Sequence, residues 1–322
     1  MRVLVVDQNP EDACSWYRCS GPWAALARTG KAEVVFNDAP HWRDIRGFDW
    51  LFMIRPHLEQ NLRTIRDALW HGVRVWTDFD DNLFAIPPEN HARITLGSPM
   101  CQAIMRQAIQ LSDVVTVSTV TLKEALLKLV PEQDTWRVIP NALDESFLRS
   151  RATFAPSKVP TILWRGSSTH LADLETYREQ IVDAAKTFPE AVWLFMGTEP
   201  WFSAEINSRI LPPQPLFKYF GYLASLTANI GIVPLQDHAF NHAKSDIAAM
   251  ELSFAGAKCL VPSFWEPIPG TVSYNDKVEF GIRLKEMLQS VSHDTSTLSY
   301  YSTHRSLKQA NKLRLEILGD PS

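Results

Sequence analysis

Short runs of apolar residues alternate with amphipathic segments along this chain, and the pattern predicts an α/β protein. In the first half, strands are predicted at residues 2–6, 33–37, 50–54, 73–79, 113–118 and 138–140, and helices at 15–28, 58–70, 99–111 and 121–129. The second half repeats the alternation, with strands at 161–165, 192–197, 230–235 and 259–261 and helices at 171–188, 223–228, 243–254, 275–291 and 300–318. Strands separated by helices build parallel sheets, so we expect two Rossmann-like domains, residues 1–150 and 151–298, joined by a linker at 150–160 that is rich in Ser, Pro and Lys.

The composition is that of an ordinary globular protein, with 322 residues, 45% of them hydrophobic and 21% charged. The net charge of -4 gives no global attraction to nucleic acid or to an anionic membrane, although a local basic patch stays open. The four cysteines show no CxxC spacing, so they indicate neither a zinc site nor a disulfide framework, and a reducing compartment is expected. No apolar run approaches the ~20 residues of a membrane span, and an acidic loop follows the first strand too early for a signal peptide. We therefore expect a cytoplasmic protein, or one of the host cytoplasm if a phage encodes it.

The stretch 230–264 predicts a strand, a polar loop, a helix at 243–254, a glycine stop and a second strand. Ligands of open α/β sheets bind beyond the carboxyl ends of the strands, so a site is expected near residues 236–244. Lys244 and Glu251 are seven positions apart, which is about two helical turns, so both would lie on one helix face. The cation suits a phosphate and the carboxylate suits sugar hydroxyls. The alternative is a solvated lysine and a surface acid, but the apolar neighbours of Glu251 favour a paired, buried carboxylate.

A second candidate site opens the second half of the chain. Gly166, Ser167 and Ser168 directly follow a predicted strand and precede a predicted helix, where backbone N–H groups and the helix dipole can hold a phosphate. Arg165 would add a positive charge for a diphosphate. The alternative is an ordinary helix cap that binds nothing.

The first half offers candidate acceptor contacts. Arg18 lies in SWYRCSGP, which replaces a glycine-rich dinucleotide loop, and it is either a phosphate or acceptor contact or a surface arginine. Three carboxylates, Asp78, Asp80 and Asp81, end a predicted strand, with His91 just beyond them. Such a cluster suits Mg²⁺ or Mn²⁺, and the alternative is that these acids cap the turn while cations and helix N-termini bind the diphosphate without a metal.

The run FNHAKSDIAAMELSFAGAKCLVPS resembles the nucleotide-sugar site of retaining glycosyltransferases of the GT-B fold, glycosyltransferase family four in particular. SDVVTVST and VIPNALDESF resemble the end of that family's first domain, and the DxDD with its proline-bearing loop resembles an acceptor-side segment of compact bacterial and phage members. The resemblance implies two Rossmann-like domains whose parallel sheets face a central cleft, with the acceptor on the first and the donor on the second. It also implies that residues 299–322 form a helix crossing back to the first domain.

The same resemblance implies roles for individual residues. Glu251 would grip the ribose of the donor nucleotide. The family's usual first glutamate stands eight positions earlier, where this chain has Ala243, and Asn241, His242 and Lys244 are the candidates to replace it. Ser245 completes the predicted donor-binding set.

The implied function is transfer of a hexosyl or pentosyl group, with retention and without a metal or other cofactor, from a UDP-, GDP- or similar sugar to an acceptor hydroxyl. The acceptor is either a surface glycan or lipid-linked sugar, or a hydroxymethylated base in phage DNA. A non-catalytic nucleotide-sugar-binding protein is the alternative, in keeping with Ala243. An epimerase or dehydrogenase is disfavoured because the glycine fingerprint and a Tyr-xxx-Lys pair are missing. A monomer or homodimer is expected.

Overall fold

A computed structural model describes residues 1–7, 12–149, 157–291 and 295–319. The acidic loop predicted after the first strand and the linker predicted at 150–160 fall mostly outside these ranges. The chain divides into two compact units. Unit 1 comprises Met1–Ala142, His242–Ser245 and the segment that begins at Leu307, and unit 2 comprises Leu143–Asn241 and Asp246–Ser306.

Unit 1 contains a parallel sheet in the order β2-β1-β3-β4-β5-β6. Its strands are β1 Arg2–Val6, β2 Glu33–Phe36, β3 Trp50–Ile54, β4 Arg74–Phe79, β5 Val114–Val117 and β6 Trp136–Val138. The first helices are α1 Ala13–Ser15, a π-helical segment Trp16–Ser20, α2 Gly21–Arg28, α3 Trp42–Ile45, α4 Glu59–Trp70, α5 Ala92–Thr95, α6 Pro99–Leu111 and α7 Val120–Leu129. The strand order reverses between β1 and β3, and ligands of doubly wound sheets bind at such a point.

The central strands of unit 1 are apolar on both faces, which explains their continuous hydrophobic runs. In β3, Trp50 and Phe52 pack in one cluster with Trp23 and Trp76. Leu51 belongs to a second cluster with residues of α4. Two cores therefore flank one sheet, as the alternation of strand and helix predicts.

Unit 2 contains a second parallel sheet, in the order β9-β8-β7-β10-β11-β12. Its strands are β7 Thr161–Gly166, β8 Val192–Gly197, β9 Ser208–Leu211, β10 Ile230–Ile232, β11 Lys258–Pro262 and β12 Val272–Tyr274. Its helices are α8 Glu145–Arg149, α9 Leu171–Thr176, α10 Arg178–Thr187, α11 Leu216–Ser225, α12 Ala239–His242, α13 Ile247–Phe254, α14 Lys277–Gln289 and α15 Ser296–His304, with short 3-10 turns at Ser168–His170 and Ser203–Glu205. The last helix, α16 Leu307–Leu318, belongs to unit 1. The strands have the order of a dinucleotide-binding sheet, with the reversal between β7 and β10.

Four predicted helices are wrong in extent. The helix predicted at 223–228 spans Leu216–Ser225. The helix predicted from 243 begins only at Ile247. The helix predicted at 171–188 is two helices separated at Tyr177, whose φ of -104° and ψ of 10° leave the helical region. The helix predicted at 300–318 is interrupted at Arg305, where φ is -130° and ψ is 37°. In the part of the chain that the structure describes, every helix is too short or too polar to cross a bilayer.

Candidate functional site

The reversal point of the unit 2 sheet carries a buried ion pair. Arg165, near the end of β7, places its Nε 2.6 Å from Oε2 of Glu251 on α13. The hydroxyl of Tyr219, on α11, donates to the same oxygen at 2.6 Å. Burial and the charge of Glu251 raise the pKa of Tyr219 well above its usual value, so the hydroxyl stays protonated and keeps donating. The carboxylate of Glu251 is only 4% exposed, whereas Arg165 keeps 17% of its side chain accessible. The sequence correctly indicated that Glu251 needs a partner, and that partner is Arg165.

Lys244 does not lie on the same helix as Glu251, so the predicted common helix face is wrong. It precedes α13, in a segment that belongs to unit 1, and its Nζ lies 3.8 Å from Oδ1 of Asp81. Ser245 also has a unit 1 partner, since Asn141 donates to its hydroxyl at 2.7 Å.

The late start of α13 has a physical cause at Asp246, its N-terminal flanking residue. The side chain of Asp246 does not cap the helix. Instead its two oxygens accept from Arg305 at 2.9 and 3.1 Å, and Tyr301 donates to it at 3.0 Å. A carboxylate bound in this way holds the chain in a turn at the point where the prediction continued the helix.

Hydrogen bonds fix the loop that follows β10. The hydroxyl of Tyr274 accepts from the N–H of Leu235 at 2.9 Å, and Tyr177 donates to the carbonyl of Leu235 at 2.7 Å. Asp173 accepts from the N–H of Gln236 at 3.1 Å. Tyr274 itself donates to the carbonyl of Val233 at 2.9 Å. Burial raises the pKa of both tyrosines, so both hydroxyls stay protonated at neutral pH. The carboxyl end of β10 is therefore preorganised.

Asn241 lies beneath this loop and is fully buried. Its Nδ2 donates to Asp173 at 2.8 Å and to the carbonyl of Gln236 at 3.0 Å, while its Oδ1 has no hydrogen-bond partner among the described residues. The sequence proposed Asn241 as a donor contact, but its burial shows that it supports the loop. Sequence reasoning missed Asp173 and Tyr219, because neither stands in a recognisable motif.

The carboxyl end of β7 presents bare backbone. Gly166 pairs in the sheet with Gly197, whose φ is +102° and whose Cβ, if present, would lie 2.5 Å from the carbonyl of Gly166. Ser167 and Ser168 follow and are exposed, with the Ser167 hydroxyl 2.7 Å from that of Thr169. The helix predicted to donate its dipole is shorter than expected, because α9 spans six residues. Any phosphate held here would depend on Arg165 and on local N–H groups.

The predicted acceptor contacts Arg18 and Asp78 are interior residues of unit 1, with exposures of 0% and 1%. Arg18 donates to both oxygens of Asp78, at 2.8 and 2.6 Å, and to Oδ1 of Asn141 at 3.2 Å. Thr116 donates to Asp78 at 2.5 Å. Because no surface of this network is open, we interpret Arg18 and Asp78 as structural residues rather than acceptor contacts.

The other carboxylates pair with a residue that sequence reasoning missed. Arg55 follows β3 with a φ of +43° and forms ion pairs with Asp80 and, at 3.2 Å, with Asp81. His91 lies on the exposed surface before α5. Within the described ranges, no group of three or more His, Cys, Asp or Glu side chains could hold a metal ion. The sequence feature that could have identified Arg55 as a site residue is its position directly after the buried strand β3.

Comparison with known proteins gives the fold. No protein-family model matches the sequence, and no curated protein matches it. Three similar solved structures are an α-glucosyltransferase in complex with UDP and a 13-mer DNA containing an HMU base (TM-score 0.66, 12% identity, 99% of each chain), HepE from Anabaena in complex with UDP and glucose (0.65, 11%, 99% of each chain), and sucrose-phosphate synthase from Thermosynechococcus elongatus (0.64, 11%, 98% of each chain). These similarities and the two six-stranded parallel sheets confirm the predicted α/β fold class with two Rossmann-like sheets, the GT-B fold of these glycosyltransferases.

Proposed function

We propose that the protein is a glycosyltransferase that moves a sugar, with retention, from a nucleotide-sugar donor to an acceptor hydroxyl. One observation carries the proposal: the Arg165–Glu251 pair stands at the strand reversal of a sheet with dinucleotide-binding order. The similar structures that contain UDP support a UDP-sugar as the donor. Retention is supported by the resemblance of the Glu251 segment to family four.

The chemistry assigned to the site is stabilisation of a leaving diphosphate. Negative charge grows on the phosphate oxygens as the sugar departs, and fixed donors in a partly buried site stabilise that charge strongly. Arg165 is such a donor, because Glu251 sets its orientation while part of its side chain stays accessible. The N–H groups of Gly166, Ser167 and Ser168 would complete the phosphate contacts. We propose that Glu251 contacts the ribose from the position that Arg165 and Tyr219 give it.

Lys244 stays a proposed phosphate contact. Its pair with Asp81 is long, at 3.8 Å, so an incoming oxyanion would compete for the ammonium group. With cations in this role, transfer is expected to proceed without a metal and to continue in EDTA. A large loss of activity in EDTA that Mg²⁺ or Mn²⁺ restores would contradict this part of the proposal.

The test begins with thermal unfolding in the presence of UDP-, GDP-, dTDP- and CMP-sugars, and the donor with the largest stabilisation is then incubated with candidate acceptors. Mass spectrometry should detect a glycan, a lipid-linked sugar or a hydroxymethylated DNA base that gains one sugar. The presence of Ala243 favours a second candidate, a nucleotide-sugar-binding protein without transfer activity. Donor stabilisation with neither transfer nor hydrolysis would support that candidate, and conversion of the donor to an epimer would place the protein in another enzyme class.

A further inference from the structure

A cavity of about 520 Å³ lies in unit 1, well apart in sequence from the residues of the proposed donor site. We call it the Asp7 pocket. Its lining residues are Asp7, Trp16, Ser20, Ala24, Phe36, Asn37 and Asp38. Asp7 directly follows β1 and Asn37 directly follows β2, so the pocket stands beyond the carboxyl ends of two neighbouring strands. This is the edge of a doubly wound sheet at which ligands bind, and the volume is within the range of about 300–1,000 Å³ of small-molecule sites.

The polar side chains of the pocket are two carboxylates, the amide of Asn37 and one unsatisfied hydroxyl. Asp7 is a buried carboxylate, with 6% exposure, and it accepts a hydrogen bond from Ser15. The Oγ of Ser20 is shielded from solvent and has no hydrogen-bond partner within the described residues. A buried hydroxyl without a partner costs free energy, which a ligand hydroxyl would recover. Asp38, on the exposed rim, adds a second carboxylate.

The remaining walls are aromatic. Trp16 and Phe36 line the pocket, and Phe36 is 45% exposed on an edge strand. Aromatic faces offer a large, rigid contact area to the C–H face of a ring. The described lining includes no lysine, arginine or histidine. Two carboxylates without a lining cation repel a phosphate, so the pocket is unsuited to a nucleic-acid backbone.

We propose that the Asp7 pocket binds the acceptor, and that this acceptor is an uncharged polyhydroxyl ring, that is, a sugar, rather than a DNA base. Ring hydroxyls would donate to Asp7 and Asp38 and bond with Ser20, while the apolar ring face stacks on Trp16 or Phe36. The role of the bound sugar as acceptor rests on the proposed glycosyltransferase function, but its binding to the pocket does not require the donor.

The test uses the full chain without a nucleotide sugar. Ligand-observed NMR titrations measure the Kd of the methyl α- and β-glycosides of glucose, galactose and mannose, of glucosamine as a cationic probe, and of a 13-mer duplex containing hydroxymethyluracil. At least one neutral glycoside should bind. Phe36→Ala and Ser20→Ala should each weaken that binding by roughly fivefold or more, the scale of one lost stacking or hydrogen-bonding contact.

Two features keep the test interpretable. Ser20→Ala removes a hydroxyl that forms no hydrogen bond in the described structure, so Tm should not fall. Val35→Ala is the matched control for Phe36→Ala, because Val35 is also exposed on β2. Neighbouring side chains of a strand point to opposite faces, so the Kd of the glycoside for Val35→Ala should equal the wild-type value.

The proposal is wrong if no neutral glycoside binds, or if the Ser20 and Phe36 variants bind the glycoside with the wild-type Kd. It is also wrong if Phe36→Ala weakens the binding of only glucosamine or the DNA duplex. Stabilisation by UDP-sugars, measured on the same samples, reports on the proposed function separately. Glycoside binding without donor binding would contradict the proposed transferase function and support sugar binding in the Asp7 pocket. Donor binding with no effect of the pocket variants on glycoside binding would support the transferase function and contradict the role of the pocket.

Discussion

Truncation of Glu251 to alanine tests the central ion pair. The change removes the carboxylate that pairs with Arg165 and takes away the acceptor of the Tyr219 hydroxyl, two contacts of 2.6 Å. Removing one partner of a buried ion pair costs about 3–5 kcal/mol, because the other charge stays buried. Arg165 keeps 17% exposure, so water compensates part of this cost and we expect about 3 kcal/mol. Glu251→Gln keeps the shape and one acceptor oxygen, so its expected cost is about 1–2 kcal/mol.

These values translate into melting temperatures. For 150–250 residues, 1 kcal/mol corresponds to about 2–4 °C, so Glu251→Ala should lower the Tm by about 6–12 °C and Glu251→Gln by about 2–8 °C. Thermal unfolding is followed by calorimetry and tryptophan fluorescence. The matched control is Glu205→Ala, which breaks a 2.5 Å pair with Arg178 whose side chains are 52% and 42% exposed and should cost less than about 1 kcal/mol.

The glutamine variant also tests function, because its small expected cost should leave it folded at 25 °C. Loss of a charge-assisted hydrogen bond to a ribose hydroxyl should weaken UDP binding by about 10- to 100-fold. A melting temperature of Glu251→Ala within about 1 °C of the Glu205→Ala control would contradict the buried ion pair. Wild-type UDP binding and sugar transfer by Glu251→Gln would contradict the proposed role of Glu251 in donor binding.

Three further outcomes follow from the described contacts. Arg18→Met should destabilise unit 1 by about 3–5 kcal/mol, because it leaves Asp78 buried without its bidentate partner, and an unchanged Tm would contradict the buried network. Gly197→Ala should abolish soluble expression or lower the Tm sharply, since its Cβ would lie 2.5 Å from the Gly166 carbonyl. The control is Gly221→Ala, inside α11, where an added Cβ would have no neighbour within 4 Å, and it should be neutral or stabilising by up to about 1 kcal/mol. Burial raises the pKa of Tyr219, Tyr274 and Tyr301 well above 10.0, so the folded state holds these protons more tightly than the unfolded state. The contribution of these tyrosines to stability should be complete below pH 10.0 and should fall as the pH rises above it. Measurement of the Tm against pH will show this fall, which should be smaller in Tyr274→Phe.

The central strands were predictable because burial on both faces leaves an unbroken apolar run. β3 was predicted at 50–54 and observed at Trp50–Ile54, and β8 was predicted at 192–197 and observed at Val192–Gly197. The strands that were missed, β9 and β12, are edge strands with partly exposed residues, and their local pattern resembles that of a loop. Edge strands owe their conformation to a neighbour that the local sequence does not reveal.

The site residues were harder to predict because their partners are distant in sequence. Arg18 and Asp78 are 60 positions apart, so the sequence could not distinguish a buried ion pair from a surface arginine. The start of α13 depends on Arg305, 59 positions beyond Asp246. Glu251 was identified correctly as a paired carboxylate, since its local apolar neighbours are themselves the evidence, but the identity of the partner required the sheet.

The cation beside Glu251 is Arg165 rather than Lys244, and this alters the physical character of the proposed site. A lysine on a helix start would be a flexible point charge that loses side-chain freedom when a phosphate binds. Arg165 lies near the end of a strand and pairs with the carboxylate of Glu251, which also accepts a hydrogen bond from Tyr219. If Arg165 binds the donor as proposed, its planar guanidinium is held by Glu251 before the donor arrives, so less side-chain entropy would be lost on binding. The same rigidity makes the site intolerant of change at Glu251, so stability and donor binding should fall together in its variants.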